Sequence, residues 1–325
     1  MENPIPSYLE DVIAAEKTFE TQLQGFASEA DEAEIRAMFL QHADETRAQY
    51  EALTARLNAL GGDPSRFKGW LAQFFGSSPK IAQLGHEGSE RTTQNLIMAF
   101  SVETAEVAMY EALRVVAEEA RDPETAELAI AIQAQEAETG EKVWRFIGPS
   151  AVNALDRITD ETSDSQILMR YLQDVEAAER NFEDALATFS NSGDQQDVQD
   201  LMAMMSTKAK TQHERLEARL TALGGNRSAG KSFLAHLLAF TPVTAQFGHE
   251  AAEKSTQHLI ITCAAAGAET AMYEALASVA ESLQDAETAA LARQLQAEEK
   301  EDYLLASESI LSSARRAFGV LAAKQ

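Results

Sequence analysis

The segment YLEDVIAAEKTFE at residues 8–20 is written again as YLQDVEAAERNFE at residues 171–183, an offset of 163 (171 − 8). The same offset joins ARLNALGG (55–62) to ARLTALGG (218–225), AQLGHE (82–87) to AQFGHE (245–250), AMYEAL (108–113) to AMYEAL (271–276), and ETAELA (124–129) to ETAALA (287–292). A register kept this long predicts two copies of one fold, residues 1–150 and 164–325, with matched helix lengths. A solenoid does not fit, because its repeats run to about 20–50 residues. The join is expected in IGPSAVNALDRITDETS (147–163), where Gly-Pro and a polar cluster read as a break.

Within each copy the composition is helical. Ala, Glu, Leu and Gln abound, Gly and Pro are sparse, and no stretch sustains the two-residue alternation of a strand. The fold class is therefore all-α. In copy one the apolar spacing predicts helices over about 7–26, 31–60, 89–121 and from Asp122-Pro123 to about 147. Gly61-Gly62 stops the second helix, and Asp122 caps the fourth with Pro123 at its first position. Short turns make two antiparallel hairpins. A long crossover between them, holding Phe67, Trp70, Phe74 and Phe75, makes a ferritin-like four-helix bundle in each copy. The aromatics are expected to cover a bundle end.

The 325 residues carry 52 Asp+Glu against 27 Lys+Arg, a net charge of −25. That balance excludes a nucleic-acid binder, which needs clustered cations, and docking on an anionic membrane. A 45% hydrophobic content excludes a disordered chain. The single cysteine, Cys263, rules out an intrachain disulfide and reads as a core residue. The longest near-apolar run, LIITCAAAGA (259–268), is about half a membrane span. No secretory signal is visible at the start, so a cytoplasmic location is expected.

Acidic residues also fall where the core should be. Glu16 shares a stripe with Val12 and Phe19; His42 and Glu45 lie among Ile35, Met38, Gln49 and Leu53. Glu103 and Glu106 lie among Leu96, Phe100 and Tyr110, and Glu136 lies between Ile132 and Val143. Carboxylates buried together without a counterion are costly. They are protonated, they face water, or a cation neutralises them. Four or more carboxylates with one imidazole suit iron or manganese. The expected metal ligands are Glu16, His42, Glu45, Glu103, Glu106 and Glu136. The Glu-x-x-His pair usual in di-iron bundles is absent.

Copy two is a built-in comparison. The offset carries Glu16, Glu106 and Glu136 to Glu179, Glu269 and Glu299, but His42, Glu45 and Glu103 to Met205, Lys208 and Ala266. Lys208 is expected to offset the remaining carboxylates and leave this copy metal-free. His86-Glu87 and His249-Glu250 recur before the third helix of each copy and read as packing or capping groups. Tyr110 and Tyr273, one turn after Glu106 and Glu269, read as buried residues pinning the bundle. No phosphate-binding glycine loop or Ser-His-Asp order appears.

HADET (42–46) followed by RLNALGG, VETAEVAMYEAL (102–113) and RDPETAELAIAIQAQE (121–136) resemble the YciE/YciF-type ferritin-like proteins of bacteria, and the resemblance runs through each copy. It implies a ferritin-like fold, a di-iron site and an association with stress responses. It places second-helix ligands on His42 and Glu45 and third-helix ligands on Glu103 and Glu106. The family's Glu-Glu of the fourth helix appears as Gln135-Glu136, one carboxylate short, while copy two has Glu298-Glu299. The expected partners are a metal ion and the other copy, in an intramolecular pseudo-dimer, with further homo-oligomerisation open. A non-catalytic helical protein acting by association is the rival reading.

Overall fold

The computed structural model describes residues 5–62, 90–157, 164–226 and 253–323. Among them the chain is all-helical: α1 (Ile5–Glu29), α2 (Ala33–Ala59), α3 (Arg91–Glu119), α4 (Pro123–Arg157), α5 (Asp164–Ser190), α6 (Gln196–Ala222), α7 (Lys254–Ser282) and α8 (Ala286–Ala323). The segments between α2 and α3 and between α6 and α7 lie largely outside the described residues. So do Phe67, Trp70, Phe74, Phe75, His86, Glu87, His249 and Glu250.

Three-residue links (30–32 and 120–122) fold α1 onto α2 and α3 onto α4, and copy two repeats the plan with α5/α6 and α7/α8. The helix ends follow local chemistry. Gly61 and Gly224 take positive φ, and the next amides, Gly62 and Gly225, bond back to the Leu57 and Leu220 carbonyls. Asp122 caps α4 through the Thr125 amide at 3.1 Å, and Asp285 caps α8 through Thr288 at 3.0 Å. Arg56 and Arg219 reach across from α2 and α6 to hold these caps.

The fourth helix departs from expectation. The sequence reads Gly148-Pro149 as the start of the join, yet α4 runs through Pro149 to Arg157. A proline inside a helix costs one backbone bond and a clash, about 3 kcal/mol. Packing offsets it here. Ile147, Ala151 and Ala154 continue the buried stripe, the hydroxyls of Thr93 and Ser150 meet at 2.9 Å, and Arg157 ties the end to Asp31 and Glu32.

The two copies pack on each other through α3 and α7 at the centre. Helix α7 is long and apolar enough to cross a membrane by length and composition, longer than the 259–268 run suggested, but 94% of that window is buried inside the protein. It is apolar all round because α3, α4, α5 and α8 surround it. The contacts between copies are reciprocal. Tyr8 of copy one hydrogen-bonds Glu253 of copy two, and its equivalent Tyr171 sits beside Glu90, the equivalent of Glu253.

Candidate metal centre

Four helices aim ionisable side chains at one place in copy one. Helix α1 supplies Glu16, α2 His42, α3 Glu103 and Glu106, and α4 Glu136; none is more than 2% exposed. Their donor atoms fall into two groups, His42–Glu103–Glu136 and Glu16–Glu106–Glu136, each with all atoms within 4.8 Å of one another. Glu136 belongs to both. His42 Nε2 lies 3.1 Å from Glu103 Oε1 and 3.9 Å from Glu136 Oε2, with its ring edge-on to Phe19 at 5.2 Å between centroids.

Second partners fix these groups. The Tyr110 hydroxyl donates to Glu16 Oε1, and Gln49 Nε2 donates to Glu136 Oε1 and, at 3.1 Å, to Gln135 Oε1. Gln135 is thus spent on Gln49. Other acceptors are orphaned: both oxygens of Glu103, both of Glu106, and Oε2 of Glu16 have no hydrogen-bond partner. Burial, then the neighbouring carboxylates, pushes Glu103 and Glu106 well above the ordinary glutamate range. Glu16 shifts the same way, by burial first and Glu136 second, with Tyr110 pulling partly back. Orphaned carboxylate oxygens plus an imidazole are the donor set that fits iron or manganese.

Glu45 is not brought into this set. Residues His42, Thr46, Gln49 and Leu53 form the inward line of α2, and position 45 falls to its flank. Glu45 is half-buried, and its Oε1 accepts from Gln41 Nε2 at 2.8 Å. It stands at the edge of a cavity of about 260 Å³ that reaches His42 past Met38, Thr139 and Lys142.

Copy two keeps one of the two groups whole: Glu179, Glu269 and Glu299 have donor atoms within 4.8 Å of one another. Tyr273 donates to Glu179, and Gln212 to Glu299 at 2.8 Å, repeating Tyr110 and Gln49. Both oxygens of Glu269 are orphaned. Lys208 offsets this cluster from a distance and not by a direct ion pair with it. Its Nζ donates to Asp302 Oδ1 at 2.9 Å and the Glu298 carbonyl at 2.8 Å. The reason is the same flank: 208 is the counterpart of 45. Its charge still reaches Glu299, which burial and Asp302 push up to about 8 against the pull of Gln212 and Lys208. Glu298 pairs with Arg215 at 3.0 Å and is no ligand either.

The sequence reading missed Asp302, which replaces Thr139 and has no counterpart in copy one, and the roles of Gln49 and Gln212. A glutamine retained on the same core stripe of both copies was the available signal.

The model of the family described as a domain of unknown function (DUF892) matches residues 7–155 and again residues 163–307. The chain belongs to the DUF892 family. DUF892 is a ferritin-like family, consistent with the resemblance to YciE/YciF-type proteins. No curated protein and no solved structure matches the chain. The two DUF892 segments coincide with the two bundles, and the carboxylate clusters occupy the middle of each.

Proposed function

We propose that this tandem DUF892 protein is a YciE/YciF-type, stress-associated cytoplasmic protein whose N-terminal copy holds two iron ions, or iron with manganese, on Glu16, His42, Glu103, Glu106 and Glu136. The observation that supports it most is that Glu136 belongs to two ligand groups at once, among carboxylate oxygens with no other partner. A carboxylate common to two ligand groups would let one residue serve two neighbouring ions. Iron or manganese bound there would supply the electrons taken up by oxygen or peroxide.

The chain's own residues set the conditions. Tyr110 holds one oxygen of Glu16, and Gln49 fixes the rotamer of Glu136. Burial keeps bulk water away and pushes Glu16, Glu103 and Glu106 toward their protonated forms, which loading with a cation would oppose. The test is elemental analysis after anaerobic iron(II) loading. Wild type should retain about two metals per chain, and Glu106→Ala and Glu136→Gln far fewer. A wild type as metal-free as these variants would overturn the reading.

A second reading, a non-catalytic helical protein that works by association, draws on one observation. Leu304, Leu305, Leu311 and Val320 are exposed apolar side chains on α8. It predicts a metal-free wild type that self-associates.

A further inference from the structure

A cavity of about 450 Å³ lies between the copies, within the roughly 300–1,000 Å³ typical of small-molecule sites. Its walls contain four pairs of residues 163 apart: Thr104 and Gly267, Val107 and Thr270, Ala137 and Lys300, Gly140 and Tyr303. The cavity therefore sits on the axis that relates the copies. It nevertheless extends into copy one alone, to Phe100, Glu103 and Trp144.

Divergence between the copies accounts for this one-sidedness. The counterparts of Phe100, Glu103 and Trp144 are Cys263, Ala266 and Ser307, all smaller. The Tyr303 phenol occupies that side, hydrogen-bonded to Ser307 and close to Cys263. Copy one has Gly140 in place of the tyrosine. A Cβ on Gly140 would already touch the Glu103 Cβ at 3.4 Å, so the absent side chain is what leaves room beside Glu103.

The lining has a definite chemistry. Phe100 and Trp144 present rings 5.1 Å apart, and the rest of the wall is mostly apolar, interrupted by Thr104, Thr270 and Glu141. At the mouth Lys300 holds Nζ 4.7 Å from the Trp144 centroid and forms no ion pair with any described residue. The nearby Arg145 lies 3.9 Å from Glu141. A largely apolar slot with a cation at the entrance that is held only by the Trp144 face, and an acidic floor, selects a ring with its negative group at the Lys300 end.

The geometry points to a binding site for a small planar aromatic carboxylate, with its ring against Trp144 and Phe100, its carboxylate on Lys300 and its far edge toward Glu103. Binding needs no metal; only its meaning as the substrate of the centre rests on the function proposed above.

Calorimetric titration of the full chain with 2-naphthoate and with neutral 2-naphthalenemethanol, before and after iron(II) loading, tests it. Wild type should bind 2-naphthoate one to one in both states. Lys300→Gln should weaken 2-naphthoate about tenfold, the worth of one charge-assisted hydrogen bond, and leave the alcohol unaffected. Gly140→Leu, which refills the slot, should abolish binding of both, and Trp144→Ser, the residue of copy two, should weaken both. No 2-naphthoate binding by wild type overturns the proposal, as does unaltered binding in both Gly140→Leu and Trp144→Ser. Insensitivity of 2-naphthoate to Lys300→Gln overturns the carboxylate assignment. Iron loading without 2-naphthoate binding removes the pocket alone, and 2-naphthoate binding without iron loading removes the metal reading alone.

Discussion

Ser101 Oγ donates to the carbonyl oxygen of Ala264 at 2.8 Å, and the two residues occupy the same position in the two copies. Equivalent positions touch only on a symmetry axis, so this bond marks where the axis crosses α3 and α7. One turn further on, Thr104 meets Gly267, again a pair 163 apart.

That second contact leaves no room for a side chain at position 267. A Cβ on Gly267 would lie 2.1 Å from Thr104 Oγ1 and 2.9 Å from its Cβ, and a Cβ cannot swing aside. Gly267→Ala should destabilise the chain by about 1–3 kcal/mol despite the better helix propensity of alanine. Exchanging the residues, Thr104→Gly with Gly267→Thr, should recover most of the loss. Differential scanning calorimetry of the three variants decides it; a stabilised Gly267→Ala would show that the helices are not in contact there.

Stability should also depend on pH in an unusual direction. A glutamate in the unfolded chain ionises near pH 4.3, about the ordinary value. Burial and neighbouring carboxylates raise Glu16, Glu103, Glu106, Glu179 and Glu269 well above it, and burial with Asp302 raises Glu299 to about 8. Between the unfolded and folded values the native state holds protons that the unfolded chain has released, so stability is lost as pH rises. Asp122 and Asp285 oppose this at the acid end: burial lifts them, but Arg56, Arg219 and the capped threonines outweigh it. Their contribution is lost as pH falls through their depressed values. The Tm of metal-depleted protein should peak near about pH 5 and fall steadily toward pH 8. Iron(II) should reverse the slope, because loading favours the ionised ligands; a metal-depleted Tm that climbs from pH 5 to 8 would contradict the burial of these groups.

The two equivalent core tyrosines each hold one carboxylate oxygen, Tyr110 on Glu16 and Tyr273 on Glu179. Phenylalanine in either place leaves a buried acceptor unpaired and should cost about 1–3 kcal/mol. Chemical denaturation of Tyr110→Phe and Tyr273→Phe should give similar losses, since the geometry is the same in both copies. A null effect in both would mean that neither hydroxyl is bonded.

Lys208 and Asp302 are paired in copy two and should behave as a unit. Lys208→Ala strands a buried carboxylate and should lose about 1–3 kcal/mol. Adding Asp302→Thr, the residue at position 139 of copy one, should restore over half of it. Additive losses in the double variant would show the pair to be uncoupled.

The repeat, the helical class and the inward carboxylates were legible because each depends on spacing along one chain. Glu45 was not, for a reason of phase. From His42 the helix turns about 60° one way to residue 45 and about 40° the other way to residue 46, so Thr46 and not Glu45 falls within the narrow arc that Gln49 and Leu53 also occupy. Pro149 misled for a different reason: its local cost is fixed by the sequence, but the packing that outweighs it comes from Thr93 on α3 and the turn before α2. Asp302 was invisible because its significance lies in Lys208, 94 residues earlier.

Joining the copies in one chain changes what can evolve at their axis. In a dimer of identical subunits every substitution is made twice, so a tyrosine that plugs one side plugs both, and a lysine placed for one mouth also appears at the other. Here Tyr303 closes one side while Gly140 leaves its mirror open, and Lys300 faces Trp144 while its counterpart, Ala137, carries no charge. Fusion also frees the pairing from mass action, so its unfolding midpoint should not move with protein concentration. Duplication thus turned an axis, where each residue had to suit itself, into two independently editable halves.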